Sequence, residues 1–137
     1  MKVKVPKNLF ADIKDIPEVE MKEPYSGRFM QTMFGPIGEN CRAWFFIEKF
    51  NPGTESYPHY HEPPVVEIFY GMKGKGIVEN ISPDQKTVQK YEVGPGQAVY
   101  SPENWTHKIR NASDEEEWVV LCCVFEVAET NTHVENT

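Results

Sequence analysis

Residues 53–74 read GTESYPHYHEPPVVEIFYGMKG. Two of the chain's four histidines, His59 and His61, stand one residue apart in this stretch. On an extended strand, residues two apart project to the same face, so both imidazoles enter one interior. There they can bind a common ion at about 2.0–2.2 Å. Pro63-Pro64 then bends the chain, and Glu67 opens the next apolar run, so a hairpin-like return carries its carboxylate towards the two rings. A third imidazole, His107, lies much later, in GQAVYSPENWTHKIRN at 96–111, and comes from another strand. His133 falls in a polar tail and reads as a surface residue.

Working outward, glycine and proline punctuate the chain at short intervals: Gly35-Pro36, Pro52-Gly53, Pro63-Pro64, Pro83, Gly94-Pro95-Gly96 and Pro102. Between them lie runs rich in Val, Ile, Phe, Tyr and Trp. That spacing predicts an all-β sandwich or barrel, with strands over 28–34, 42–50, 56–61, 66–71, 75–80, 87–92, 97–101, 106–111 and 117–126. No long stretch has helical periodicity. Residues 1–34 read as an N-terminal arm with edge strands, 35–127 as the barrel and 128–137 as a polar tail. A length of 137 residues suits a single domain.

The two histidine-bearing stretches resemble the motifs of the cupin superfamily. Its first motif reads G-x5-H-x-H-x3–4-E-x6-G, and here Gly53 leads by five residues to His59 and His61, while Glu67 leads by six to Gly74. Five residues separate His61 from Glu67, one more than the motif, and the extra one falls in the Glu62-Pro63-Pro64 bend. The second motif, G-x5-P-x-G-x2-H-x3-N, matches Gly96, Pro102, His107 and Asn111, with Asn104 in place of glycine. Asparagine tolerates a left-handed turn better than most residues. The resemblance covers roughly residues 40–126. It implies a cupin-type double-stranded β-helix, a jelly-roll barrel, with one divalent transition metal ion on His59, His61, Glu67 and His107. Three imidazoles and a carboxylate suit Fe, Mn, Ni, Co, Cu or Zn and disfavour calcium and magnesium.

The chemistries that the resemblance implies act on small oxygenated organic molecules, with dioxygenase-like oxidoreductase chemistry just ahead of non-redox isomerase, lyase or cyclase chemistry. A non-catalytic, small-ligand-binding cupin is the alternative, since fold alone does not fix function. Tyr57, with the parity of His59, and Arg42 are candidates for the pocket. Arg28, Gln31, Arg42, Glu48 and Gln97 are polar residues within predicted strands, for which a plain surface position is the default. A homodimer that covers the N-terminal sheet edge is also implied.

A net charge of −7, with no basic cluster, argues against nucleic acid as a partner. The run Asp114–Glu117 reads as a solvated turn. No apolar run approaches the roughly 20 residues that span a bilayer, and MKVKVPKNLF does not read as a secretory signal. Three cysteines, Cys41, Cys122 and Cys123, two of them adjacent, read as buried reduced thiols in a cytoplasmic setting.

Overall fold

Short β-branched and aromatic runs between turns give nine strands in the computed structural model, which describes residues 5–128. They are β1 (Val19–Glu20), β2 (Arg28–Phe34), β3 (Ala43–Phe50), β4 (Val65–Lys73), β5 (Gly76–Ile81), β6 (Val88–Val93), β7 (Ala98–Ser101), β8 (Thr106–Asn111) and β9 (Trp118–Glu126). The one helical element among the described residues is a 3-10 turn at Ile13–Asp15. No described helix is long and apolar enough to cross a membrane. His133 and most of the 128–137 tail lie outside the described residues.

All pairings are antiparallel and form two sheets, β1-β2-β3-β9-β4-β7 and β6-β5-β8. The all-β jelly-roll expectation holds. Alternation decides what lies between the sheets: Phe46, Glu48 and Phe50 of β3, Glu67 and Phe69 of β4, and His107, Ile109 and Asn111 of β8 are buried. The apolar core gathers Phe46, Phe50, Phe69, Val78, Ile109, Trp118, Val120 and Cys122, with the Phe50 and Trp118 rings 5.0 Å apart. Polar ties connect the sheets as well. Ser101 Oγ donates to Asn80 Oδ1 at 2.6 Å, and Asn80 Nδ2 donates to the Tyr100 carbonyl. Asn111 Nδ2 donates to the carbonyls of Phe50 and Glu116, closing the end of the sandwich.

One expected strand is corrected. Residues 56–61 run extended beside β8 but form only isolated bridges, Glu55 with Arg110 and His59 with His107. Three residues lie between the bridges on this side and two on β8, so the pairing slips by one. Pro58, which lacks an amide donor, sits inside that slip. The surface default is overturned for Arg28, Gln31 and Glu48, all of which are buried. Gln31 projects to the outer face of β2, where its Nε2 donates to the Ile13 and Ile16 carbonyls and fastens the N-terminal segment. Gln97 is exposed and accepts a hydrogen bond from the Gly94 amide. Asp114, Glu115 and Glu116 are exposed in the turn before β9, as expected of a solvated run.

Gly76 shows how tightly the sheets close, because a Cβ there would stand 2.1 Å from the Trp118 ring. Gly76→Ala should therefore cost about 3 kcal/mol through overpacking. Urea unfolding followed by tryptophan fluorescence should show a lowered midpoint at unchanged m-value. A midpoint equal to that of the wild type would contradict this packing.

Candidate metal centre

His59 and His61 reach the interior on a segment that backbone hydrogen bonds lash to β8. His107 N–H donates to the His59 carbonyl at 2.8 Å, and Ser56 N–H to that of Ile109 at 3.0 Å. The next anchor is the turn after Pro102, where the Asn104 amide donates to the His61 carbonyl at 2.8 Å. Asn104 holds φ at 65°, the left-handed conformation expected where the motif has glycine. The extra residue between His61 and Glu67 is taken up in a turn that the Val65 amide closes onto the Glu62 carbonyl at 3.0 Å. Beyond that turn, β4 carries Glu67 inward.

The structure brings His59, His61, Glu67 and His107 together, with one potential ligand atom from each within 4.8 Å of the others. His61 Nε2 lies 3.0 Å from Glu67 Oε1, His107 Nε2 lies 3.0 Å from His59 Nε2, and His107 Nε2 lies 3.7 Å from Glu67 Oε1. Two ligand atoms bound at about 2.1 Å and at right angles are roughly 3.0 Å apart, so these spacings fit ligation of one ion. A neutral His59 donates Nδ1–H to the Tyr57 carbonyl at 3.1 Å, which leaves the Nε2 lone pair facing the cluster.

Burial shifts the protonation of His59, Glu67 and His107. It pushes the His107 imidazole down to about 2, helped by His59 and His61, and lowers His59 as well. It raises the Glu67 carboxyl against the opposing pull of His61 and Arg28. Imidazoles kept neutral at physiological pH are ready as ligands, and a desolvated carboxylate gains from a nearby cation.

The cluster opens into a pocket of about 330 Å³ whose lining includes Arg28, Glu48, Ser56, Tyr57, His59 and Glu67. Tyr57 is half exposed, and its ring lies 4.6 Å from that of His59. Arg42 is not brought to this pocket. It precedes β3 in a bend, with its side chain 58% exposed and its Nε 2.8 Å from Glu126 Oε2. It shares the parity of Phe46 and Glu48, but the alternation begins only once the strand does.

The position that sequence reasoning took for Arg42 is filled by Arg28. Its Nε lies 3.1 Å from Glu48 Oε2 within the barrel, on neighbouring strands in a diagonal register, Arg28 opposite Phe50 and Met30 opposite Glu48. Glu48 stands between Phe46 and Phe50, both buried, so the inward parity of β3 was the signal for it. Burial raises its carboxyl to about 7, against the lowering by Arg28 and with a further push from Glu67.

Residues 46–124 match the family model described as "Cupin domain". The chain belongs to the cupin family. A predicted oxalate decarboxylase from Thermotoga maritima superposes with a TM-score of 0.68 at 17% identity, over 87% of this chain and 100% of that one. KdgF from a Halomonas species gives 0.68 at 18% identity, over 90% and 97%. At such identities, likeness establishes the cupin fold alone. In sequence, a glucose-6-phosphate isomerase of Thermococcus kodakarensis is 38% identical over 58 residues, which is 42% of this cupin and 30% of that protein. The match thus spans under a third of the isomerase.

The raised Glu48 carboxyl gives a pH dependence of stability. Between pH 4.5 and about 7 the folded cupin holds a proton on Glu48 that the unfolded chain releases, so stability falls as pH rises through that window. At 1.36 kcal/mol per pH unit the loss is about 3 kcal/mol. Glu48→Gln lacks this loss. In chelator-treated protein, the urea-derived stability of Glu48→Gln relative to wild type should rise between pH 5 and pH 8. A difference that stays flat across that range would contradict a protonated Glu48.

Proposed function

We propose that this cupin is a metal-dependent enzyme acting on a small oxygenated organic molecule, with His59, His61, Glu67 and His107 as the ligands of one divalent transition ion. The observation that carries this reading is the convergence of those four side chains within 4.8 Å of one another, with His59, His61 and Glu67 lining a pocket of about 330 Å³. That size lies in the range of small-molecule sites. The donor set suits Fe, Mn, Ni, Co, Cu or Zn. Bound there, the ion would supply Lewis acidity towards oxygen atoms of the substrate.

The protein's own groups would orient and exchange protons. Glu48, its carboxyl raised to about 7, is poised to give or take a proton near neutral pH. A proton carrier beside the site favours isomerase, lyase or decarboxylase chemistry over the dioxygenase chemistry that ranks first on sequence grounds. The name of the isomerase matched in sequence points the same way. Tyr57, half exposed at the lining, would cover one side of a bound molecule. The three free cysteines fit a reducing, cytoplasmic setting.

Elemental analysis of protein purified without chelator or metal-affinity resin should find about one transition ion per chain. His59→Ala and His107→Ala should each lose it, along with activity. Full metal content in both variants would remove these residues as ligands. Glu48→Gln should keep its metal and lose about a hundredfold or more in kcat if it carries the proton. The proposed homodimer is tested by light scattering on a size-exclusion column, where a mass near 15.8 kDa would refute it.

A further inference from the structure

Two residues that line the metal pocket carry buried donors without a protein acceptor. Arg28 is only 4% exposed, and its Nη1 makes no hydrogen bond among the described residues. Ser56 is 5% exposed, and its Oγ is likewise without a partner. Both residues line the same pocket as His59, His61 and Glu67 of the histidine–glutamate cluster.

The Arg28–Glu48 contact does not use up the guanidinium. Nε stands 3.1 Å from Oε2, and neither atom has hydrogen-bond alignment in the contact. A purely structural arginine–carboxylate pair in the interior is commonly bidentate, with two parallel N–H···O bonds. Arg28 instead rests with its guanidinium carbon 5.7 Å from the centre of the Phe50 ring and leaves an outer nitrogen unpaired. A buried charged donor without an acceptor is costly. A carboxylate offers two oxygens and about four lone pairs, enough for an Arg28 N–H and the Ser56 hydroxyl together.

We infer that Arg28 and Ser56 form the subsite for the anionic end of the substrate, which is a small organic acid whose carboxylate is held by these two donors while the remainder faces the histidine–glutamate cluster. This inference rests on the metal-dependent reading and narrows its substrate class. The pocket of about 330 Å³ holds on the order of ten water volumes at about 30 Å³ each, which limits the acid to roughly ten non-hydrogen atoms. Arg28 and Ser56 are positioning residues for this ligand, with no part in bond breaking.

The test is calorimetric titration of wild-type, Arg28→Gln, Arg28→Lys and Ser56→Ala protein with glycolate and pyruvate and with their uncharged amides, in metal-loaded and chelated forms. Wild-type protein should prefer each acid over its amide. Arg28→Gln should weaken acid binding by about ten- to a hundredfold, the range for a hydrogen bond to a charged group. Amide affinity and metal content should stay near wild type. Arg28→Lys should recover part of the loss, and Ser56→Ala should weaken acid binding by a few fold. Should Arg28→Gln fail to fold, Ser56→Ala and Arg28→Lys still decide the matter. Acid affinities within twofold of wild type in the folded variants, or a wild type that prefers neither acid, would overturn the inference. Failure of the metal reading is seen separately: wild-type protein then takes up no metal, while acid-over-amide preference in the chelated form still reports on Arg28.

Discussion

Glu67 and His107 meet at 3.7 Å in a place where water hardly reaches either of them. Desolvation discourages charge on both, raising the carboxyl and lowering the imidazole. The strands around them hold the two side chains at this distance all the same. Glu67 is opposite Ser101, His107 is opposite Asn80, and the Ser101–Asn80 hydrogen bond ties one sheet to the other between those pairs. A buried polar network fixes position well when its members are satisfied. Here it sets the separation of two potential ligands from opposite sheets.

His59 and His61 are held differently. Their segment is not a ladder strand but an extended run fastened at intervals to β8 and to the Asn104 turn. The one-residue slip around Pro58 breaks regular pairing but leaves both imidazoles on the inner side. Two ligands thus come from sheet positions and two from a lashed loop, and the loop depends on β8 for its register. The position of these two histidines therefore follows from backbone hydrogen bonds to β8 and to the Asn104 turn.

The fold and the four-residue cluster were legible in the sequence because they rest on short-range signals: turn residues, strand alternation and two motifs of fixed spacing. The Glu62-Pro63-Pro64 bend was rightly placed as the home of the extra residue, since only a turn can absorb an insertion without reversing the parity of a strand. What sequence reading missed was which polar strand residues face inward. Arg42 and Glu48 have the same parity, yet one stands ahead of the strand and pairs on the surface while the other is enclosed by Phe46 and Phe50. Arg28 sits on a strand whose inner and outer faces are both covered, the outer by the segment that Gln31 holds. Parity alone could not distinguish those faces. Ser56 carries no pattern of its own and becomes visible only as a buried hydroxyl without an acceptor.

Cys122 and Cys123 are neighbours on β9, one enclosed in the core and the other part-covered on the opposite face. Burial pushes both thiols up, with the carboxylate of Glu67 adding to the effect on each. A thiol kept protonated is a poor nucleophile and a slow target for peroxide. Alternation along the strand also points the two sulfurs away from each other, so they cannot readily join. The sulfur enclosed in the core, that of Cys122, is therefore the one least able to be oxidised, and the strand that carries it needs no disulfide to hold its place.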